Sequence, residues 1–136
     1  MQQTSATVIR LDDSEKISFA ENSYYQPILD GEAGGFSVYT GIQTAEPGYE
    51  TPPHQHPYTE VLHILSGTAE AWLVGEESKK AVLHVGDTIA LPPNKLHIFR
   101  AVGAETLRLL GTHLSSQRIV NYDDGKQVVM GANDAS

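Results

Sequence analysis

The chain has 136 residues, 9 of them basic and 17 acidic, for a net charge of -8, and 40% are hydrophobic. That length and apolar content suit one domain with one core and exclude wholesale disorder. The basic residues are scattered, which excludes the clustered cations that nucleic acid requires, and the absence of cysteine excludes disulfides, thiolate metal sites and thiol nucleophiles.

The N-terminus, "MQQTSATVIRLDD", is polar and lacks the apolar stretch of a signal peptide. No apolar run approaches the length of a membrane span. A cytoplasmic protein with no membrane partner is the expectation. Residues 1–35 read as an N-terminal extension with an edge strand through "ATVIRL" and a short helix near Asp12–Phe19. Residues 36–120 read as a β-barrel. Residues 121–136 read as a partly flexible tail that frays after Val129.

Within that span, short apolar runs alternate with turn signals. "FSVYTGIQTA", "EVLHIL", "TAEAWLV", "AVLHV", "TIAL", "HIFRAV" and "TLRLLGTHL" are rich in Val, Ile, Leu, Thr and aromatics. "GEAGG", "EPG", "SG", "GEES", "GD", "PPNK" and "VGAE" separate them. Evenly spaced short strands with such turns predict an all-β sandwich or barrel, and no segment carries a sustained helical stripe.

The stretch "GYETPPHQHPYTEVLHILSG" concentrates the chemistry. His54 and His56 stand two apart, so on a strand their side chains share a face. Pro52 and Pro53 hold the entry extended, and Pro57, which has no N–H for a sheet ladder, ends the strand. In the returning strand Glu60, Leu62 and Ile64 share one face, and Val61, His63 and Leu65 the other. A carboxylate placed opposite the histidine pair supplies two nitrogen ligands and one oxygen. His97 follows a proline turn in "GDTIALPPNKLHIFR" and is the fourth candidate. Three imidazoles and a carboxylate favour Fe(II), Mn(II), Ni(II), Co(II) or Zn(II) over Ca(II) or Mg(II).

These residues resemble the two motifs of the cupin superfamily. In the first motif glycine, His-x-His, glutamate and glycine fall at Gly48, His54, His56, Glu60 and Gly67, and every spacing matches. In the second, Gly86, Pro92 and His97 match. Asn94 stands where the family has glycine, and Ala101 where it has asparagine. Asn tolerates positive φ next best after glycine, so the turn is expected to survive. The resemblance covers residues 36–112. It implies a small jelly-roll-type cupin β-barrel with a metal inside, held by His54, His56, Glu60 and His97. It also implies a homodimer.

Other residues are read by parity. His63 lies on the face opposite Glu60 and belongs outside the site, and His84 precedes a turn. His113 ends the last long strand and reaches the site as a partner to a ligand or as a general base. Phe99 shares the parity of His97 and lines the pocket. Trp72 and Tyr39 are further candidates for it. Arg100 and Arg108 would bind a substrate carboxylate if they faced inward, but Arg100 has the wrong parity. The expected activity is a dioxygenase reaction on a small organic substrate, with Fe the first metal and Glu60 and His113 as catalytic groups. Non-redox isomerase, epimerase or lyase chemistry and ligand binding without turnover are the alternatives.

Overall fold

A computed structural model describes residues 4–131. The chain runs through β1 (Ile17–Ala20), β2 (Ser23–Pro27), a one-turn helix α1 (Gly31–Gly34), β3 (Tyr39–Ala45), β4 (His54–Gln55), β5 (Glu60–Ser66) and β6 (Thr68–Leu73). It continues through β7 (Ala81–Leu83), β8 (Thr88–Leu91), β9 (His97–Val102), β10 (Leu107–His113), β11 (Arg118–Tyr122) and β12 (Gln127–Met130). Each of the seven apolar runs between Phe36 and Leu114 contains a strand. Alternation of residue types is the reason: β10 is buried, half-buried, buried along its whole length, as a strand with one inward face must be.

The strands form two six-stranded antiparallel sheets. The first has the order β1-β2-β3-β10-β5-β8 and the second β12-β11-β4-β9-β6-β7. This is the jelly-roll arrangement. The two ladders stay separate among the described strands, so the closed barrel expected from the sequence is instead a two-layer sandwich. Its edges are β1 and β8 in one sheet, β12 and β7 in the other.

The core lies between the sheets. Leu107, Leu109, Ile64 and Leu62 come from the first, and Phe99, Ala69, Ala71 and Ala101 from the second. The small alanines leave room for the Tyr49 and Phe99 rings, whose centroids are 6.1 Å apart. Along β5 and β10 the interior changes character. Ile64 and Leu107 are at the apolar end, and Glu60 and His113 are at the other.

The N-terminal segment departs from expectation. "ATVIRL" forms no strand, and Val8 is 70% exposed. The edge strand is β1, further along. The segment expected as a helix holds only a 3-10 turn at Leu11–Asp13 before β1 begins. Two alternating apolar side chains, Ile17 and Phe19, decide this: the Phe19 ring stacks on Tyr25 of β2 at 5.5 Å, and "ATVIRL" has no such partner. The segment expected as a tail contributes β12, which pairs with β11 from Met130 to Gln127; the fraying expected after Val129 falls almost wholly on residues beyond 131, outside those described.

Two turns carry positive φ where the motif demanded it. Asn94 has φ 60, the one non-glycine in that region among the described residues, so asparagine does the work of glycine there. Gly67 has φ 76, and a Cβ on it would lie 2.7 Å from the Thr106 carbonyl oxygen. Both the conformation and the contact exclude a side chain. Gly67→Ala is expected to cost about 1–3 kcal/mol, read as a lower urea midpoint at unchanged m-value; an unchanged midpoint would show that the β5–β6 turn is adaptable.

Candidate metal centre

Strand register assembles the site. In the first sheet Glu60 of β5 pairs with His113 of β10. In the second, His54 of β4 pairs with His97 of β9. These pairs come from opposite layers and meet in the interior at the polar end of the sandwich. His56 lies just beyond β4, where Pro57 breaks the strand. Its carbonyl accepts a hydrogen bond from the Asn94 N–H at 2.7 Å. The left-handed turn at Asn94 is thereby tied to the first motif, which seats His97 beside His54.

His54, His56, Glu60 and His97 are all buried, and one donor atom from each lies within 4.8 Å of the others. Imidazole nitrogens and carboxylate oxygens about 2.0–2.2 Å from one ion are separated by comparable distances. Hydrogen bonding gives a sharper test of fit. Nδ1 of His54 faces the Pro52 carbonyl at 2.8 Å, Nδ1 of His56 the Ile119 carbonyl at 2.6 Å, and Nδ1 of His97 the Lys95 carbonyl at 3.1 Å. A carbonyl only accepts, so each Nδ1 carries a proton; His56 Nε2 shares a second proton with Glu60 Oε1 at 2.8 Å until an ion displaces it, whereas Nε2 of His54 and His97 keeps its lone pair. That is the tautomer a metal requires. His97 Nε2 is buried with no hydrogen-bond partner among the described residues, an arrangement that costs stability unless something fills it. The donor set fits a divalent metal.

The two oxygens of Glu60 are divided. Oε1 lies 2.8 Å from His56 Nε2 and 3.6 Å from His97 Nε2, so it faces the cluster. Oε2 accepts from His113 Nε2 at 3.1 Å. The other nitrogen of His113 accepts from the Tyr58 hydroxyl at 2.7 Å, and that hydroxyl accepts from the Ile119 N–H at 2.9 Å. A chain Tyr58–His113–Glu60 therefore runs from β11 into the site. Burial works to raise the Glu60 pKa. The charge and hydrogen bond of His113 and the hydrogen bond of His56 outweigh it and hold the carboxyl well below its ordinary range. Burial lowers the His54 pKa to about 3, with His97 beside it acting in the same direction. Burial lowers His113 as well, although Glu60 opposes the shift.

The sequence-level candidates sort cleanly. His54, His56, Glu60 and His97 are brought together, and His113 joins them through Glu60. His63 points away and bonds Thr88 Oγ1 at 2.8 Å, and His84 is exposed. Phe99 lines the cavity beside the cluster, with Leu62 and Leu109. Trp72 does not. It lies on the outer face under Lys80 and Arg100, and Arg100 pairs there with Glu70. Tyr39 stays out of the cavity lining, its ring edge-on to His113 at 6.3 Å. Tyr58, Tyr25 and Arg118 were missed. Tyr25 and Arg118 lie on β2 and β11, which carry no motif; Tyr58 lies within the first motif, but its role follows from contacts with His113 and Ile119 far along the chain.

The cavity at the cluster is small, about 20 Å³. A second of the same size adjoins it toward the outside and shares Gln43, His54 and Arg118 with it. A larger cavity of about 340 Å³ lies elsewhere, around Lys16, Tyr24 and Glu46. It holds no cluster of buried ionisable groups, so the chemistry belongs to the small interior one.

Comparison with known proteins now decides the family. The sequence model of the cupin domain matches residues 41–113, more than half of the chain. The chain belongs to the cupin family. No curated protein sequence matches it. Among solved structures this cupin is similar to a cupin-like protein from Thermotoga maritima (23% identity, TM-score 0.65, 88% of this chain and 86% of that one). It is also similar to the polyketide cyclase RemF from Streptomyces resistomycificus (16% identity, TM-score 0.69, 94% and 86%). A third is Bacillus subtilis oxalate decarboxylase, which has Mn(II) centres (21% identity, TM-score 0.73); there the match covers 85% of this chain and only 31% of the longer protein. At these identities the likeness is one of fold.

Acid should destabilise the metal-free protein. An unfolded His54 takes up a proton below about pH 6.5, whereas the folded one resists until about 3. Its contribution to stability is therefore complete above 6.5 and lost as pH falls toward 3. Glu60, also depressed, adds a loss in the same direction below its ordinary value. The expected slope is about 1.4 kcal/mol per pH unit for each such group, visible as a lower urea midpoint at pH 5 than at pH 7.5. Equal midpoints would mean that the buried imidazole is already charged at neutral pH.

Proposed function

We propose that this cupin is a metal-dependent enzyme acting on a small organic substrate, with dioxygenase chemistry at Fe(II) as the first reading. One observation carries it. Three imidazoles, each with Nδ1 held by a backbone carbonyl, converge with the carboxylate of Glu60, one donor atom of each residue lying within 4.8 Å of the others. His54, His56, Glu60 and His97 would hold the ion. Mn(II), Ni(II), Zn(II) and Co(II) suit the same donors. The bound ion would supply Lewis acidity and, as iron, a redox centre for dioxygen.

The chain's own groups contribute the rest. Leu62, Phe99 and Leu109 keep bulk water from the cavity, which strengthens every charge interaction inside it. His113 holds Oε2 of Glu60 so that Oε1 stays turned to the cluster. The same chain from Tyr58 through His113 to Glu60 can carry a proton to or from the substrate side. That chain favours a second reading, non-redox isomerisation, decarboxylation or lyase chemistry, in which Glu60 and His113 serve as base and acid. Ligand binding without turnover is less well supported, because a connected proton path has no role in it. The proposal also takes the protein to be a cytoplasmic homodimer without nucleic acid or membrane partners. Among the described residues no helix is long and apolar enough to cross a membrane, and the open edge at β1 offers a surface for a second copy.

Metal analysis tests the site, and oxygen tests the reaction. His56→Ala should lose nearly all bound metal while its circular dichroism spectrum stays that of a folded β protein. His63→Ala should keep the wild-type metal content. Equal metal in His56→Ala and wild type would rule out the centre. For the chemistry, the iron-loaded protein should consume dioxygen when it turns over substrate; turnover at an equal rate without air would overturn the dioxygenase reading in favour of proton transfer.

A further inference from the structure

Arg118 is the anomaly of the interior. It opens β11 facing inward and is only 7% exposed, yet no carboxylate lies within 4.0 Å of its guanidinium among the described residues. Its Nε is buried without a hydrogen-bond partner. Among the described residues its one polar side-chain contact is a weak one, from Nη1 to Met130 Sδ at 3.8 Å. The guanidinium instead lies over the Tyr25 ring at 4.5 Å and the Phe19 ring at 5.3 Å. Such rings stabilise a cation modestly and leave its donors unsatisfied. An unpaired buried charge costs several kcal/mol, so a fold that retains one points to a counter-ion that arrives from outside.

Tyr25 repeats the pattern. It is 3% exposed, and its hydroxyl is also buried without a partner. The ring rests against Gly41, where any side chain would collide with it. Tyr25 and Arg118 line the same cavity as His54, Glu60 and His113, and the charge of Arg118 contributes to the lowered pKa of His113. Two unsatisfied donors thus face a metal centre across a space walled on its other side by Leu62, Phe99 and Leu109. Both residues lie outside the segment 41–113 that matches the family.

We propose that Arg118 and Tyr25 form the receiving site for the carboxylate of a short organic acid, held with its reacting end toward the metal centre. The assignment rests on the metal-dependent reading above and names its substrate class. Guanidinium geometry matches a planar carboxylate, and the tyrosine hydroxyl supplies a further donor. The small volume, about 20 Å³, restricts the acid to a compact one such as acetate. Arg118 lines both the cavity at the cluster and the one adjoining it, as Gln43 and His54 do.

Acetate, with neutral acetamide as the matched control, is the probe. Both are titrated calorimetrically into manganese-loaded wild type, Arg118→Gln and Tyr25→Phe, and the metal content of each sample is measured in parallel. Wild type should bind acetate and not acetamide. Arg118→Gln should weaken acetate at least tenfold, and Tyr25→Phe, which keeps the ring packing, several-fold, all at equal metal content. Acetate binding of equal strength in wild type and Arg118→Gln would overturn the proposal, as would acetamide binding as well as acetate. A wild type that takes up no manganese would instead overturn the metal reading. The acetate comparison on that metal-free protein would still decide whether Arg118 receives carboxylates.

Discussion

Two cross-strand pairings, Glu60 with His113 and His54 with His97, are the constraint from which the interior follows. Side chains on a strand alternate with a period of two, so a slip of one residue in either ladder would turn a ligand to solvent and a hydrophobic residue into the site. The apolar end of the same strands resists such a slip. Leu62, Ile64, Leu107 and Leu109 share the inward face with Glu60 and His113, and burying them at about 25 cal/mol per Å² outweighs any local preference of the polar residues. The core therefore holds the site in register.

Burial then determines the chemistry. In water, four polar side chains would be solvated and mobile. Between the sheets each must find a partner, and the backbone provides most of them. Carbonyls of Pro52, Lys95 and Ile119 orient three imidazoles, and the Asn94 turn joins the two motifs. Among the described residues the buried side-chain atoms left without a partner are Nε2 of His97, the Tyr25 hydroxyl, Nε of Arg118 and, away from the metal-centre cavity, Oγ1 of Thr44. On the proposed reading the first three mark where a metal and an anion would bind. The exterior arginine follows the opposite rule. Arg100 is paired with Glu70 and Glu50 at the surface, where such contacts contribute little.

Much of this was legible in the residues. Alternation and turn chemistry located β3 and β5 to β10, because those strands have one wet and one dry face. Parity placed Glu60 inward and His63 outward, and the spacing of the two motifs located His97. The less regular elements were not legible. Strand β1 was sought at "ATVIRL", where nothing is available to pack against, and β2 and β11 carry no periodic signature that separates them from loops. The arginines considered for a substrate, Arg100 and Arg108, lay in the recognisable strands, whereas Arg118 lies in an unrecognised one.

By itself the sequence determined which four residues come together as a candidate metal site. That information is local: an i, i+2 pair, a proline stop, and a carboxylate whose parity sets its face. It also determined that the fold is an all-β cupin, since alternation and turns are written residue by residue. Tertiary structure alone decided that the two sheets stay open to each other rather than closing, and that Nδ1 of His56 meets the Ile119 carbonyl. It also decided that Tyr58, Tyr25 and Arg118 belong to the same interior. Those facts depend on contacts between segments far apart in the chain, such as His56 with Ile119, and no local pattern encodes which distant carbonyl or ring a side chain will meet.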